Sequence, residues 1–507
     1  MSPSGEWRAG QPGALQDYGW ESSLSRNQTC YTGPGNIRSD PCDQGRIPLY
    51  SALVQSTADV QAAIRFAADR NLRLVVKNTG HDAVGRSSAL DSFQIATQGL
   101  KTLTFTHDFA PYTAGTNVTS EGPAVTFGAG VLGKDLYAAA AAHGYTVVAG
   151  ECGTVGIAGG FIQGGGVSTV LAPLRGLAAD QVLQFEVVSA DGTPVVANQY
   201  QNSDLFWALR GGGGGTFGIV TSVTMRVFPD HPVVITDLTF ATPTRSQNYW
   251  AGVREVIEKA RELAVGGASA QYYIGRTPDG SPYAKLSLFS HFVDDQTVIE
   301  DAFAPLLASL KLKGVQMVAF NATRYPRLTE YLATPQGLYF GGVGYYQESV
   351  LLSNELYHSR EGPAQIVDRL SSIELNPSDV WVVNSLGGQV NGNRKMDSAV
   401  HQGWRDAAIL LVGNRLFGPS LEEQRQVQKR LNKVEWPVLQ SFEPRPLAVY
   451  LNEADPNLED SREWFWGAKY QRLREVKQRW DPRALFIVSM GVGSEEWDED
   501  GMCRYMK

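Results

Sequence analysis

The first clear hydrophobic pattern in the chain has apolar residues at helical spacing. In "ADVQAAIRFAADRN" (58–71) they recur at intervals of three and four residues, which predicts an amphipathic helix. Thr57 can cap the start of this helix and Asn71 its end, and the apolar run "LRLVVK" that follows predicts a buried strand. The apolar stripe consists of Val60, Ala63, Ile64 and Ala67.

The same order of elements returns about 75 residues later. "GKDLYAAAAAHG" predicts a helix closed by Gly144, "YTVVAG" a strand, and "ECGTVGIAGGFIQGGG" a glycine-rich loop. The strand of the first unit likewise runs into a glycine-containing loop, "NTGHDAVGRSS". Each loop carries one reactive side chain, His81 in the first and Cys152 in the second.

A third glycine-rich element, "LRGGGGGTFGIVTSVTMRVFP" (209–229), precedes a strand pattern. Consecutive glycines let backbone N–H groups approach a phosphate or a flat ring, because no Cβ atom is in the way. None of the glycine runs fits the dinucleotide fingerprint, and no phosphate-loop motif GxxxxGK[ST] occurs. The runs therefore favour a nucleotide site of another kind.

The pattern changes at about Asp237. Long helical patterns such as "QNYWAGVREVIEKARELA" alternate with aromatic strand patterns such as "AQYYIG", which predicts a second, α+β domain running to about residue 445. The remaining tail predicts a helix from about Trp464 to Trp480 that ends at Pro482.

Composition limits the partners. The chain has 507 residues, a net charge of −8 and 43% hydrophobic residues, which suits a globular protein of several cores and offers no basic face. We therefore expect no nucleic acid. The longest uncharged run, Cys152 to Leu174, contains too many glycines for a membrane helix, so we expect no membrane span either. The expected partners are small molecules, and the sequence is silent on oligomeric state.

The cysteines and sequons bear on localisation. Cys30 and Cys42 lie in a loop-forming segment and suit a small disulfide, with two free thiols as the alternative. Asn27, Asn117 and Asn321 begin glycosylation sequons, although the first residues lack the pattern of a signal peptide. We expect a secreted protein or one in the secretory lumen, and an intracellular one stays possible.

A set of motifs carries a family resemblance. "KNTGHD…GRSS", "ECGTVGIAGGFIQGGG", "GLAADQV", "DLFWALRGGGGGTFGIVTSVT" and "YLNEADP…DPRALF" resemble the berberine bridge enzyme-like branch of the vanillyl-alcohol oxidase/p-cresol methylhydroxylase flavoproteins, and most closely its fungal FAD-linked oxidases. The resemblance implies an α+β fold. An FAD-binding domain of two α+β subdomains would comprise 1–236 and 446–507, and a substrate domain with a helix-covered antiparallel sheet would comprise 237–445.

The same resemblance implies FAD bound by two covalent bonds. His81 matches the histidine attached to the 8α-methyl group, and Cys152 the cysteine attached to C6, and both side chains are nucleophiles suited to an electron-poor ring. In this family a proline usually follows the cysteine, whereas here Gly153 does. The other cofactor-binding residues carried over are Asn78, Thr79, Gly80, Asp82, Gly85, Arg86, Ser87, Gly150, Thr154, Gly156, Gly159, Asp180, Gly218, Ile219, Val220 and Lys469.

The predicted catalytic residues lie near the C-terminus. Tyr450 and Tyr470 are candidates for the base, with Asn452 as a hydrogen-bonding neighbour and Glu453 as a further candidate base. A tyrosine serves only if its pKa of about 10 is lowered, which we expect from Lys469 or Arg472. Lys469 replaces the family's asparagine and either supplies a cation near the flavin ring or points away to solvent. The candidate substrate residues are Asn384, Gln389, His401 and Arg405, and no metal site is expected.

The resemblance implies hydride transfer from a C–H bond of a small alcohol, amine or aromatic metabolite to flavin N5. Reoxidation by O₂ to H₂O₂ would make the protein an oxidase. Two alternatives stay open: a flavin dehydrogenase that reacts poorly with O₂, and a non-redox cyclase that needs FAD.

Overall fold

The computed structural model describes residues 5–29, 43–115, 118–242, 247–334 and 341–505. Cys30, Cys42 and Asn117 lie outside the described residues, so the disulfide stays a prediction. The helices are α1 (Gly5–Gly10), α2 (Thr57–Asp69), α3 (Gly133–Ala142), α4 (Ala172–Arg175), α5 (Ser203–Leu209), α6 (Gln247–Val265), α7 (Gln296–Leu312), α8 (Leu328–Leu332), α9 (Asn354–His358), α10 (Gly362–Ser371), α11 (Gly388–Gly392), α12 (Leu421–Arg430), α13 (Trp436–Gln440), α14 (Ser461–Trp466) and α15 (Tyr470–Trp480).

The N-terminal strands are β1 (Tyr50–Leu53), β2 (Leu74–Lys77), β3 (Phe93–Ala96), β4 (Leu103–Thr106), β5 (Ala124–Gly128), β6 (Tyr145–Thr146), β7 (Val182–Val188), β8 (Pro194–Asn198), β9 (Ile219–Arg226) and β10 (Phe228–Pro229). They form a parallel sheet of order β1-β3-β2 and an antiparallel sheet of order β4-β5-β9-β7-β8. Helix α2 packs against both, because its buried stripe faces β3 and β7. The loops that carry His81 and Cys152 follow strands of this N-terminal part of the fold.

The strands of the middle region are β11 (Val233–Ala241), β12 (Ser269–Arg276), β13 (Pro282–His291), β14 (Gln316–Tyr325), β15 (Gly344–Ser353), β16 (Val380–Ser385) and β17 (Ala407–Phe417). They form one antiparallel sheet of order β14-β11-β13-β12-β16-β17-β15. Helices α6 and α7 pack against it, and α10 packs against α6. The architecture is therefore α+β with a helix-covered antiparallel sheet, as predicted.

The C-terminal segment returns to the N-terminal sheets. The indole Nε1 of Trp466 donates to the carbonyl of Gly211 at 3.0 Å, and Lys477 Nζ donates to that of Thr216 at 2.8 Å. One hydrophobic cluster extends from Val54 to Val492 through both parts of the molecule. The two ends of the chain thus close around a shared core, while the exact domain boundaries stay predictions.

Several local predictions differ from the structure. Ser56, not Thr57, caps α2, because its hydroxyl and the carboxylate of Asp59 form a reciprocal capping box. The predicted strand 145–150 is paired only at Tyr145–Thr146. The predicted helix 464–480 is broken at Gly467, whose φ of +52° is a conformation that few other residues adopt.

The long uncharged run is folded into the interior. It contains a short π-helical turn (Ile157–Phe161) and α4, with backbone bends at glycines between them. Among the described residues, no helix combines the length and the apolar character needed to cross a bilayer.

Candidate active site

A cavity of about 320 Å³ lies between the glycine-rich loops of the N-terminal part and the antiparallel sheet of the middle region. The C-terminal segment supplies a third wall through Tyr450, Asn452 and Glu453. Most of the predicted cofactor residues line it. They are Asn78, Thr79, Gly80, His81, Asp82, Arg86, Ser87, Gly150, Cys152, Gly156, Gly159, Gly218, Ile219 and Val220.

His81 and Cys152 meet in one wall of this cavity. The His81 Nε2 atom lies 3.8 Å from Cys152 Sγ, although 71 residues separate them in the chain. Thr154 holds the pair together: its Oγ1 lies 2.7 Å from His81 Nε2 and 3.5 Å from Cys152 Sγ. Thr154 itself does not line the cavity, so its place is behind the two nucleophiles. The two predicted attachment residues therefore converge on one region of space.

The environment of Cys152 favours its thiolate. Burial by itself would raise the pKa of the thiol, but the nearby His81 and hydrogen bonds from His81 and Thr154 outweigh it and lower the pKa to about 6. A thiol of this kind is largely ionised at neutral pH, and the thiolate is the nucleophilic form.

Glycine is required where loops approach closely. A Cβ atom at Gly156 would lie 2.0 Å from Asn78 Oδ1, and one at Gly214 would lie 2.9 Å from the Cα of Gly160. The run of glycines at 211–215 thus packs backbone to backbone against the loop that follows Cys152. Because glycine has no side chain, the space beside these backbones stays open as part of the cavity.

Asp82, Arg86 and Asn452 link the first loop to the C-terminal segment. Asp82 accepts the backbone N–H of Ser87 at 2.5 Å and pairs with Arg86 at 3.5 Å. Arg86 Nη2 donates to Asn452 Oδ1 at 3.0 Å, and Asn452 Nδ2 donates to the Gly160 carbonyl at 3.0 Å. The predicted role of Asn452 as a hydrogen-bonding residue thus extends to both glycine loops.

Buried polar atoms in the cavity wall suit a polar ligand. Within the described part of the chain, Asn78 Oδ1, Arg86 Nη1 and Gln163 Oε1 are buried without a hydrogen-bond partner, and all three residues line the cavity. Leaving such groups unpaired is costly, so each is expected to meet a ligand. A guanidinium N–H and amide oxygens, beside a glycine cradle, are groups that a dinucleotide with a diphosphate and a ring system would satisfy. The residues present therefore fit FAD.

The middle sheet forms the opposite wall. Alternate residues of neighbouring strands point into the cavity, as the two-residue period of a strand requires. Asn384, a predicted substrate residue, accepts from Gln271 Nε2 at 2.9 Å and from Thr169 Oγ1 at 3.0 Å. The residues on this face are Gln271, Tyr273, Tyr345, Gln347, Val382, Asn384, Val412 and Asn414.

Most residues of this wall are not predicted by the sequence patterns. The alternation in "AQYYIG" predicts a strand, but not which face of the strand is turned to the cavity. Only the pairing of β12 with β16, which sets Gln271 opposite Asn384, decides that.

Two carboxyl groups of the cavity wall titrate near neutrality. Burial is the main cause that raises the pKa of Glu151 to about 7, and burial raises that of Glu453 to about 7. Burial also raises the pKa of Tyr450 well above its usual value, with the carboxyl of Glu453 adding to the effect. The expectation that Lys469 or Arg472 lowers the pKa of this tyrosine is therefore wrong.

The two cations expected to lower the pKa of the tyrosine, Lys469 and Arg472, are bonded to other groups. Lys469 Nζ donates to the carbonyls of Ser398 at 2.8 Å and Val400 at 2.6 Å, and Arg472 pairs with Asp397 at 3.0 Å. Lys469 therefore takes neither of the two expected orientations, because it is turned away from the cavity but binds carbonyls of buried residues rather than pointing to solvent.

Other predicted site residues also lie outside the cavity. Tyr470 donates to Glu495 at 2.5 Å, so its hydroxyl is engaged on another face. Asp180 and Arg405 form a buried ion pair at 2.7 Å, which explains both charges without a ligand. The remaining residues of this group are Gly85, which packs under Trp20, His401, whose Nδ1 accepts the Gly403 N–H, and Gln389, which is exposed and bonded to Asn393.

Comparisons with known proteins identify an FAD-binding domain in the chain. A family model described as FAD binding domain matches residues 48–198, and one described as "Berberine and berberine like" matches residues 449–493. The chain is 56% identical over 507 residues to FAD-linked oxidoreductase notD of Aspergillus sp. (strain MF297-2), covering 99% of this chain and 82% of that protein. It is 42% identical over 517 residues to FAD-linked oxidoreductase malF of Malbranchea aurantiaca, covering 99% and 85%.

Solved structures agree in fold. The VAO-type flavoprotein MtVAO615 of Myceliophthora thermophila C1 superposes with a TM-score of 0.79 at 32% identity, covering 92% of this chain and 84% of that chain. Berberine bridge enzyme of Eschscholzia californica superposes with a TM-score of 0.69 at 18% identity, covering 90% of each. The fold and the site define a flavoprotein oxidoreductase. The chain belongs to the FAD-linked oxidoreductases of the berberine bridge enzyme-like, VAO-type family, and its cofactor is FAD.

Proposed function

We propose that this enzyme is an oxidase that holds FAD through two covalent bonds, from His81 and Cys152, and oxidises a C–H bond of a small alcohol, amine or aromatic metabolite. The convergence of the two nucleophiles supports this most directly, since His81 Nε2 and Cys152 Sγ are 3.8 Å apart in the cavity wall. Two such side chains at one place are what a doubly attached ring requires.

The chain's own residues would divide the remaining work. Bound FAD supplies an acceptor for the hydride of the substrate. Asn452 fixes the position of Arg86 beside the glycine loops, and Asn384 and Gln271 present amides to a substrate lying on the sheet. Holding the substrate carbon within reach of the acceptor is the main contribution of such a wall.

Attachment is tested by acid precipitation of the purified protein, followed by absorbance and mass measurement of the pellet. We expect flavin to stay with the wild-type chain, and also with the single variants His81→Ala and Cys152→Ala, because one bond remains in each. The double variant should release it. Release of flavin from wild type would contradict the proposal.

Alkylation gives an independent check on the sulfur bond. Cys503 is exposed in the tail, whereas Cys152 is the proposed attachment site. After unfolding in excess iodoacetamide, we expect the peptide with Cys503 to be alkylated and the peptide with Cys152 to carry the mass of flavin. An alkylated Cys152 would remove the second bond from the proposal.

The oxidase role is tested by following flavin and H₂O₂ together under air. Turnover with one equivalent of H₂O₂ per product supports an oxidase. Fast flavin reduction with slow reoxidation would favour the dehydrogenase, and product formed without any flavin reduction would favour the cyclase.

A further inference from the structure

Glu151 lies in the cavity wall immediately before Cys152. It is half-buried, and within the described ranges it takes part in no salt bridge. Gln271 and Thr169, two side chains that bond to Asn384, lie close enough to its carboxyl group to lower its pKa against the effect of burial. The loop that carries the proposed sulfur attachment thus presents a carboxylate to the polar face of the substrate sheet.

We propose that Glu151 is a catalytic residue, the acceptor of the proton that a substrate N–H or O–H group loses while the adjacent C–H bond is oxidised. This inference rests on the proposed function. In the balanced step, the C–H bond breaks and its electron pair leaves as hydride to the oxidised flavin. The N–H or O–H proton moves to Glu151, a C=N or C=O bond forms, and O₂ later takes the two electrons as H₂O₂.

The position of Glu151 next to Cys152 in the chain favours it as the proton acceptor over the other ionisable groups in the cavity. In the flavin ring, C6 is the neighbour of the carbon that bears N5, so the residue next to a cysteine bound at C6 is held close to the hydride acceptor. Tyr450 receives the N–H of Asn452 at 3.0 Å, and its pKa is raised by burial. Glu453 follows Asn452 on the C-terminal wall of the same cavity, in a different segment from Cys152.

The surroundings let Glu151 change its charge near neutral pH. Burial raises its pKa to about 7, while Lys285 acts in the opposite direction from the sheet, where it also pairs with Asp237 at 3.5 Å. The tyrosines near it have raised pKa values and stay neutral over this range. The titratable or charged groups around it are Tyr137, Cys152, Tyr273, Lys285 and Tyr331.

The first experiment follows anaerobic reduction of the holoenzyme by benzylamine, tryptamine and vanillyl alcohol between pH 5 and 9. A carboxylate base works above its pKa, so the wild-type rate should rise with pH through about 7. The rate of flavin reduction in Glu151→Gln should be about 100-fold lower than in wild type, which is the smallest loss usual when a general base is removed. The rise of this rate with pH should also disappear. Glu151→Asp should restore part of both.

Glu453→Gln removes the other cavity carboxyl of similar pKa and so tests the rival base. The matched control is Glu443→Gln, which removes a carboxyl outside the cavity whose pKa is also raised by burial. It should keep the pH profile of wild type. If Glu151→Gln keeps the wild-type rate and profile, or if Glu453→Gln loses them instead, the assignment of Glu151 is wrong while the proposed oxidase stands.

Sulfite binding gives a measurement that needs no substrate. Sulfite adds to flavin N5 with a visible change in absorbance, and an ionised Glu151 near N5 should repel this anion. We expect the ratio of wild-type to Glu151→Gln dissociation constants to rise from about one below pH 6 to about tenfold above pH 8. Taking the ratio removes the ionisation of sulfite itself.

The outcomes separate the two proposals. If the ratio of the two sulfite dissociation constants is one at every pH, Glu151 does not lie beside N5. This outcome counts against Glu151 whether or not a probe substrate reduces the enzyme. Protein purified without flavin, or flavin that never reacts with O₂ after reduction, would overturn the proposed oxidase. A pH-dependent ratio in flavin-bearing protein supports Glu151 even where the three probes are poor substrates.

Discussion

At the scale of single residues, reactivity in this protein is decided by neighbours. His81 and Thr154 lower the pKa of Cys152 to about 6, whereas burial beside a carboxyl raises the pKa of Tyr450. The motifs were sufficient to predict where both nucleophiles stand. They could not predict that Lys469 turns to the carbonyls of Ser398 and Val400, because those partners come from a loop about 70 residues away.

The pair of Asp180 and Arg405 shows the same limit. Each was a predicted ligand residue, yet each finds its partner 225 residues away in the sequence. Both side chains are almost fully buried, so neither charge has water to replace a lost partner. A charge pattern in one sequence cannot reveal that two such groups meet.

Removal of one member of this pair should be costly. Arg405→Ala leaves Asp180 buried and unpaired, which should lower the free energy of unfolding by about 3–5 kcal/mol and reduce Tm. Arg394→Ala is the control, since the pair of Arg394 with Asp406 is about half exposed and is worth under about 1 kcal/mol. Thermal unfolding of both variants with bound flavin measures this. Equal losses would mean that burial is not the cause.

At the scale of elements, local periodicity predicted much of the secondary structure. The buried stripe of α2, the strand β12 and the helix α6 lie where the patterns place them. Elements whose limits depend on tertiary contacts differed. Gly467 interrupts the C-terminal helix because it packs against His401, where a Cβ atom would lie 2.7 Å from the ring Nε2.

The loop after Cys152 depends on one close approach. Gly156→Ala would place a methyl group 2.0 Å from Asn78 Oδ1, and the Asn78 side chain cannot turn away without losing the hydrogen bond from its Nδ2 to the Ala129 carbonyl. We expect this variant to be purified with less than about a tenth of the wild-type flavin content, because an overpacked contact costs about 1–3 kcal/mol. The absorbance ratio of flavin to protein measures the content.

A glycine elsewhere serves as the control for that variant. At Gly10, at the end of α1, an added Cβ atom meets nothing within 4 Å. Gly10→Ala should therefore keep the full flavin content, and a similar loss in both variants would point to general destabilisation.

At the scale of the whole molecule, the cavity belongs to no single segment. Its walls come from the N-terminal loops, the middle sheet and the C-terminal segment, and one hydrophobic cluster runs through all three. The sequence resemblance predicted that both ends of the chain contribute to the cofactor site, because its motifs lie at both ends. It did not predict the sheet face, since the middle region carried no motif.

The shared core predicts cooperative unfolding. On heating, the fluorescence of flavin and of tryptophan should report the same Tm within about 2 °C, because neither part of the core can lose its packing alone. Arg405→Ala should shift both signals together. Two separate transitions, with flavin exposed before the sheet unfolds, would show that the cofactor part and the sheet are independent units.

The hydrogen bonds of Asn452 carry a consequence for synthesis in the cell. Asn452 bonds to Gly160 and Arg86, which lie 292 and 366 residues before it in the chain. The ribosome therefore makes both glycine loops long before it makes the residue that joins them. We expect a chain cut short before Asn452 to contain both nucleophiles but to lack the contacts that hold the two loops together.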